Sequence, residues 1–211
     1  MLPEVTEFCR LYLLRHPELS AEDASLALGS GDGSLSRRGR QSLVDWLKLL
    51  AGLEIDSIFA ADQAHCRDSA AAIAAAKGLE VQAVVELKDQ ELGRWQGKSW
   101  QALAQEEPDK VRDFFAEFGE VQPPEGESLG QAVERFLQWW TRQRPQLIGK
   151  SVLLVTSGAL LSGFTAAMLG MRLSRAVCLN LPYGGMGVVD IYDNGARITA
   201  WNLGALQNDQ S

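Results

Sequence analysis

Short apolar runs alternate with longer stretches of helical periodicity along most of the chain. Residues 11–14, 55–60, 81–87, 152–156, 186–192 and 197–201 have the length and the β-branched, aliphatic content of strands. Residues 36–51, 64–77, 128–144 and 158–169 carry the pattern of helices, and the alanine-rich part of the second predicts close packing. Strands interleaved with helices predict a mostly parallel sheet covered on both faces, with chemistry at the carboxyl ends of the strands. Arg15, His16, the segment 61–65 and Ser157 then fall along one sheet edge. The last two strands meet around Asp193-Asn194-Gly195, an Asn-Gly hairpin signal, so an antiparallel pair closes one side and the sheet is mixed. Between residues 87 and 124 no strand pattern occurs. Its Trp95, Trp100, Phe114, Phe115 and Pro123-Pro124 predict a small helical cap.

Composition narrows the possibilities. The 211 residues are 46% apolar and 22% charged, which predicts one well-filled domain over 1–211 with a cap insertion at about 88–126. A net charge of -7 with no basic stripe argues against nucleic acid or an anionic membrane as partner, so any bound phosphate must meet a local cluster. No apolar stretch nears the roughly 20 residues of a membrane span, and the first nine residues hold acids and a proline in place of a leader pattern; a cytoplasmic protein is expected. Cys9, Cys66 and Cys178 are widely spaced and lack companion histidines, so neither a disulfide frame nor a zinc site is expected, and buried thiols are.

Candidate chemistry begins with histidine, of which the chain has two, His16 and His65. Arg15-His16 ends a predicted strand. A neutral imidazole there can attack phosphorus, while a planar guanidinium grips phosphate oxygens two at a time. Two rivals are weaker. Ser157 sits on a strand-turn-helix, as a hydrolase nucleophile would, but Val155-Thr156-Ser157-Gly158-Ala159 lacks the Gly-x-Ser-x-Gly flanks and no histidine follows it. Two histidines about fifty residues apart, without paired carboxylates, form no recognisable metal ligand set; no metal and no cofactor are expected.

Leu14-Arg15-His16-Pro17-Glu18 resembles the Arg-His-Gly signature of the histidine phosphatase superfamily, in its phosphoglycerate-mutase-like branch. Residues 31–41, with Leu35-Ser36-Arg37-Arg38-Gly39 at their centre, are similar to the family's Leu-Ser-x-x-Gly helix entry, and residues 87–97, which include Asp89, Glu91 and Gly93, to the segment bearing its general acid. Gly126-Glu127-Ser128, the turn at Ser157-Gly158 and the last strand ending near Asn202 follow in family order. The resemblance implies a three-layer α/β/α sandwich around a mostly parallel mixed sheet with a small helical cap insertion. It implies a small phosphorylated metabolite as partner, His16 as nucleophile, Asp89 as acid, and Arg15, His65, Ser157 and Gly158 around the phosphate. The compact stretch 18–36 and the short cap resemble the small phosphatases, including those acting on a cobalamin-precursor phosphate, more than the mutases.

Four positions depart from the family pattern. Asp89 stands where a glutamate is usual, one methylene shorter, and Glu91 is an alternative acid. His65 occupies the place of a second phosphate-binding arginine, and Arg67, two residues on, points about 200° around a helix axis from it. Ser157 replaces a histidine, and a serine there is also an ordinary helix N-cap. Pro17 replaces glycine and removes one backbone N–H. Losing one preorganised donor typically costs about 10²–10³ in rate. The expectation is a slow phosphatase, with a catalytically silent binder of a phosphorylated ligand or a protein partner as the alternative.

Overall fold

The computed structural model describes residues 7–204. In chain order its elements are β1 (Cys9–Arg15), α1 (Ala21–Ala24), α2 (Arg37–Leu50), β2 (Ser57–Ala61), α3 (Ala64–Lys77), β3 (Val81–Val84), α4 (Trp100–Glu106), α5 (Pro108–Ala116), α6 (Leu129–Leu147), β4 (Ser151–Thr156), α7 (Gly158–Met168), β5 (Met186–Tyr192) and β6 (Gly195–Leu203). One six-stranded sheet runs in the order β3-β2-β4-β1-β5-β6. Pairings β3–β2, β2–β4 and β4–β1 are parallel, and β1–β5 and β5–β6 are antiparallel. Helices α2 and α3 pack together on one face and α6 and α7 on the other, giving a three-layer α/β/α sandwich.

The central strands explain their own position. Leu11, Leu13 and Leu14 of β1 and Val152 to Val155 of β4 are fully buried, as continuous apolar runs must be when helices cover both faces. Helix entries are equally local. Ser36 accepts the Gly39 N–H at 2.8 Å to start α2, and Ser128 with Gln131 forms a reciprocal capping box at the start of α6.

Departures from the periodicity have physical causes. β3 ends at Val84, opposite Ala61, where its only neighbouring strand stops; residues 85–87 then turn in a 3₁₀ helix that exposes Val85 and buries Leu87. Helix α6 continues past Arg144 and through Pro145 to Leu147, because one further turn buries Leu147 against the core. The hairpin pairs Tyr192 with Gly195, so Asp193-Asn194 forms the tight turn and Gly195 begins β6. The expectation of buried thiols holds for Cys9 and Cys66 and fails for Cys178, which lies exposed in a 3₁₀ segment where only Ala176 reaches the core. Burial pushes the Cys9 thiol up to about 12 and Cys66 well above its ordinary value, so both stay protonated.

Residues 88–126 carry α4 and α5 and a second apolar cluster of Leu92, Trp95, Leu103 and Val111 with Ala27. Gly93 joins the two ends of this cap. Its φ is +54°, and a Cβ would sit 2.2 Å from the Pro124 carbonyl oxygen, so only glycine lets the two backbones cross there. No described helix is long and apolar enough to cross a membrane.

Candidate active site

Register brings the site together. Arg15 of β1 lies opposite Thr156 of β4, and the His16 N–H donates to the Thr156 carbonyl at 3.0 Å, so His16 and Ser157 leave adjacent strands at the same level. Ala60 pairs with Val155 one step earlier, which delivers Gln63 and His65 at the same sheet edge. A pocket of about 300 Å³ opens here, and Arg15, His16, His65, Asp89, Ser157 and Gly158 all line it. The two residues left open in the sequence lie elsewhere. Glu91 accepts from Ser30 Oγ at 2.6 Å on the exposed side of its loop, and Arg67 lies exposed beside Asp68 at 3.7 Å.

Hydrogen bonds to Pro17 and Gly33 fix the proton positions of the two histidines. His16 Nδ1 sits 2.9 Å from the Pro17 carbonyl, an acceptor, so Nδ1 carries the hydrogen and Nε2 of the neutral ring keeps its lone pair. His65 Nδ1 accepts the Gly33 N–H at 3.2 Å, which leaves Nε2 as the donor. The rings meet edge to face, 4.5 Å between centroids. Desolvation, then the neighbouring His65 and Arg15, hold the His16 pKa well below its ordinary value; desolvation also lowers His65. Pro17 therefore supplies, through its carbonyl, the acceptor that sets the tautomer, while His65 presents a neutral Nε2–H.

This pair has a consequence for folding. Both histidines ionise at 6.5 or below only with difficulty in the folded state, so below 6.5 the unfolded chain binds more protons and stability falls as pH falls. Each group contributes a slope of at most about 1.4 kcal/mol per pH unit. Asp89, raised in the folded state, contributes in the opposite sense from 3.8 upward. Urea unfolding of the wild type and His65→Gln between pH 7.5 and 5.5 should therefore show a shallower loss in the variant; identical slopes would refute the assignment.

Asp89 is anchored from four sides. Its Oδ1 accepts from Ser157 Oγ–H at 2.8 Å and from the Gln90 N–H at 2.8 Å; its own N–H donates to Gln63 Oε1 at 2.9 Å, and its carbonyl accepts from Arg135 Nη2 at 2.9 Å. Burial raises its carboxyl pKa, partly offset by those donors and by Arg15 and Arg135. Ser157 has two tasks at once. Its Oγ caps α7 by accepting the Leu160 N–H at 3.4 Å, and it holds the carboxyl of Asp89. The two family departures at 89 and 157 are thus one compact pair.

Arg15 is held in place by its neighbours. Its Nη1 donates to the Leu181 carbonyl at 2.7 Å, its guanidinium lies 3.9 Å from the centroid of the Tyr183 ring, and its buried Nε has no partner. Gly158 makes room for it, since a Cβ there would sit 2.8 Å from Arg15 Cδ. The amino end of α7 adds its dipole and free N–H groups.

Gln63, Arg135, Tyr183 and Asp23 were not singled out in the sequence. Gln63 is buried, and its Nε2 donates to the carbonyls of Gly29 and Gly31 at 3.1 and 2.8 Å while its Oε1 holds Asp89. One side chain thus ties the Asp89 segment to the loop whose Gly33 fixes His65. Its only sequence signal was a polar residue at the start of an apolar helix. Among the described residues, no group of three or more His, Cys, Asp or Glu side chains is arranged to hold a metal ion.

The histidine phosphatase superfamily (branch 1) matches residues 11–204. The chain belongs to that family. It is 24% identical over 200 residues to an adenosylcobalamin/alpha-ribazole phosphatase of Escherichia coli (strain K12), covering 93% of this chain and 97% of that protein. It is 29% identical over 185 residues to a glucosyl-3-phosphoglycerate phosphatase of Mycolicibacterium vanbaalenii, covering 84% and 80%. Among solved structures, the alpha-ribazole phosphatase from Shigella flexneri has the same fold, with a TM-score of 0.83, 22% identity, and coverage of 93% of this chain and 97% of that one. The family assignment and the sandwich architecture agree.

Proposed function

We propose that this protein hydrolyses a small phosphomonoester, without a metal ion, through a phosphohistidine on His16. The observation that carries the reading is the tautomer of His16, whose Nδ1–H is committed to the Pro17 carbonyl while Nε2 keeps its lone pair in a neutral ring. Nε2 attacks phosphorus, the P–O bond to the alcohol breaks, and the bonding pair leaves with the alcohol oxygen, which takes the proton of Asp89. The phosphorylated ring is cationic, and the Pro17 carbonyl stabilises its Nδ1–H. Water then attacks phosphorus and gives a proton back to Asp89, and the His16 Nε2 pair is restored. Arg15, the His65 Nε2–H and the amino end of α7 carry the charge of the equatorial oxygens.

Transfer to water fits this site better than the return of phosphate to a second alcohol, because Arg15 is the one cationic side chain in the pocket lining among the described residues. The same poverty of charge makes the enzyme slow. It also favours the second reading, in which the pocket binds a phosphorylated ligand or serves a partner without turnover. The segment 88–126 roofs the pocket of a single working unit, and the free thiols suit the reducing cytoplasm.

Phosphate release from 4-nitrophenyl phosphate in the presence of a chelator tests the first reading. Steady release unaffected by the chelator is expected, and release no faster than the uncatalysed reaction would leave only the silent binder. The missing cation gives a second expectation. His65→Arg exchanges a neutral donor for a charged one and should tighten binding of inorganic phosphate by about tenfold or more, measured by calorimetry. Unchanged affinity would show that position 65 does not face the phosphate.

A further inference from the structure

Away from His16 the pocket changes character. Trp100, Phe114 and Phe115 of the cap and Leu26 and Leu28 of the loop after α1 form its outer wall. Trp100 and Phe114 lie nearly parallel, 5.9 Å between centroids at 27°, and Phe115 meets Trp100 at 4.9 Å. Trp100 and Phe114 pack against the cap's own apolar cluster, which accounts for their position. That packing does not account for Phe115, which is 59% exposed at the pocket wall. A large aromatic side chain held in water beside two others is a surface that gains from being covered by an apolar ring.

Charge in the same pocket points the same way. Asp23 lines the pocket, and its Oδ2 accepts from Ser20 Oγ at 2.9 Å and from the Ser34 N–H at 2.7 Å. Those donors favour the ionised carboxylate. Arg15 is already matched to the phosphate, and His65 is a neutral donor, so the described lining offers no second cation for a second anionic group. A ligand carboxylate here would face Asp23 unpaired, a juxtaposition that costs affinity.

We propose that the phosphoester this pocket accepts carries a flat, apolar, uncharged alcohol, of the arylalkyl or heteroaryl kind, stacked against Trp100, Phe114 and Phe115. Acid-bearing esters such as 3-phosphoglycerate are disfavoured, because the lining sets Asp23 and no second cation against their carboxylate. The inference rests on the phosphate-binding part of the function proposed above and is independent of whether the ester is turned over.

Calorimetry with three phosphonates separates the two. 3-Phenylpropylphosphonate is expected to bind at least about tenfold tighter than propylphosphonate, and 3-phosphonopropionate more weakly than either. Phe115→Ala, a change at an exposed position, should remove about tenfold of the aryl preference, and Asp23→Asn should narrow the gap against the carboxylate compound. Affinities within twofold of one another, tightest binding of the carboxylate, or no binding of any of the three overturns the inference. Steady-state rates with 2-phenylethyl phosphate, glycerol 3-phosphate and 3-phosphoglycerate, all alkyl esters, complete the test. Aryl-selective binding without hydrolysis leaves the inference standing and removes the proposed reaction; hydrolysis of all three at equal kcat/KM does the reverse.

Discussion

His16→Ala is expected to lower kcat/KM for 4-nitrophenyl phosphate by at least about 10³-fold, because the covalent route disappears with the nucleophile and the remaining groups only bind. No neighbour can take over. His65 Nδ1 accepts from the Gly33 N–H, and its Nε2 is protonated, so the second imidazole presents a donor and no lone pair. Rapid quenching in base should trap an acid-labile phosphoryl group on the wild type and none on the variant. The affinity for inorganic phosphate should change far less than the rate, since Arg15 keeps its bond to Leu181 and its stack on Tyr183. The wild-type rate should also fall in acid, as protonation of Nε2 removes the attacking pair. Burial and the adjacent Arg15 lower the pKa of His16, which places that limb below the ordinary 6.5 of histidine. Equal rates for wild type and variant would falsify the nucleophilic role.

Much of this arrangement was legible in the order of residues, and the reason is local. Short continuous apolar runs at 11–14 and 152–156, alternating with longer helical patterns, read as strands covered on both faces, and the ends of parallel strands gather at one edge. Arg15, His16, Ser157 and, within the segment 61–65, His65 therefore fall on one edge in the sequence reading, and motif spacing adds Asp89 and Gly158. What stayed hidden depends on contacts between distant segments. Ser157 meets Asp89 across 68 positions of sequence, and Arg135 reaches the Asp89 carbonyl across 46. No period or propensity encodes such a bond. The same holds for Asp23 and Tyr183, whose importance comes from which wall the folded loops place them on. The boundary errors were also non-local: β3 stopped because its partner strand stopped, and α6 outran Pro145 because Leu147 had a core to enter.

Asp89, one methylene shorter than the usual glutamate, is held through its carboxylate by Ser157. Asp89→Asn should lower kcat about 10²–10³-fold for an alkyl phosphate, whose leaving oxygen needs a proton, and less for the formation of phosphoenzyme from 4-nitrophenyl phosphate, whose leaving group departs as an anion. Because water attack also uses the carboxylate, the variant should accumulate phosphohistidine with the aryl ester. As a general acid Asp89 must be protonated, so wild-type kcat for the alkyl ester falls as pH rises through its folded pKa. Burial raises that pKa from the ordinary 3.8, which extends the active range upward, and the Ser157 hydroxyl holds it down in part by donating to the charged form. Ser157→Ala removes that donor, so its alkaline limb should move to higher pH, while Asp89→Asn should have no such limb at all. If both variants kept the wild-type profile, the carboxyl would be a wall of the pocket held by Gln63 and Arg135, and the proton would have to come from solvent.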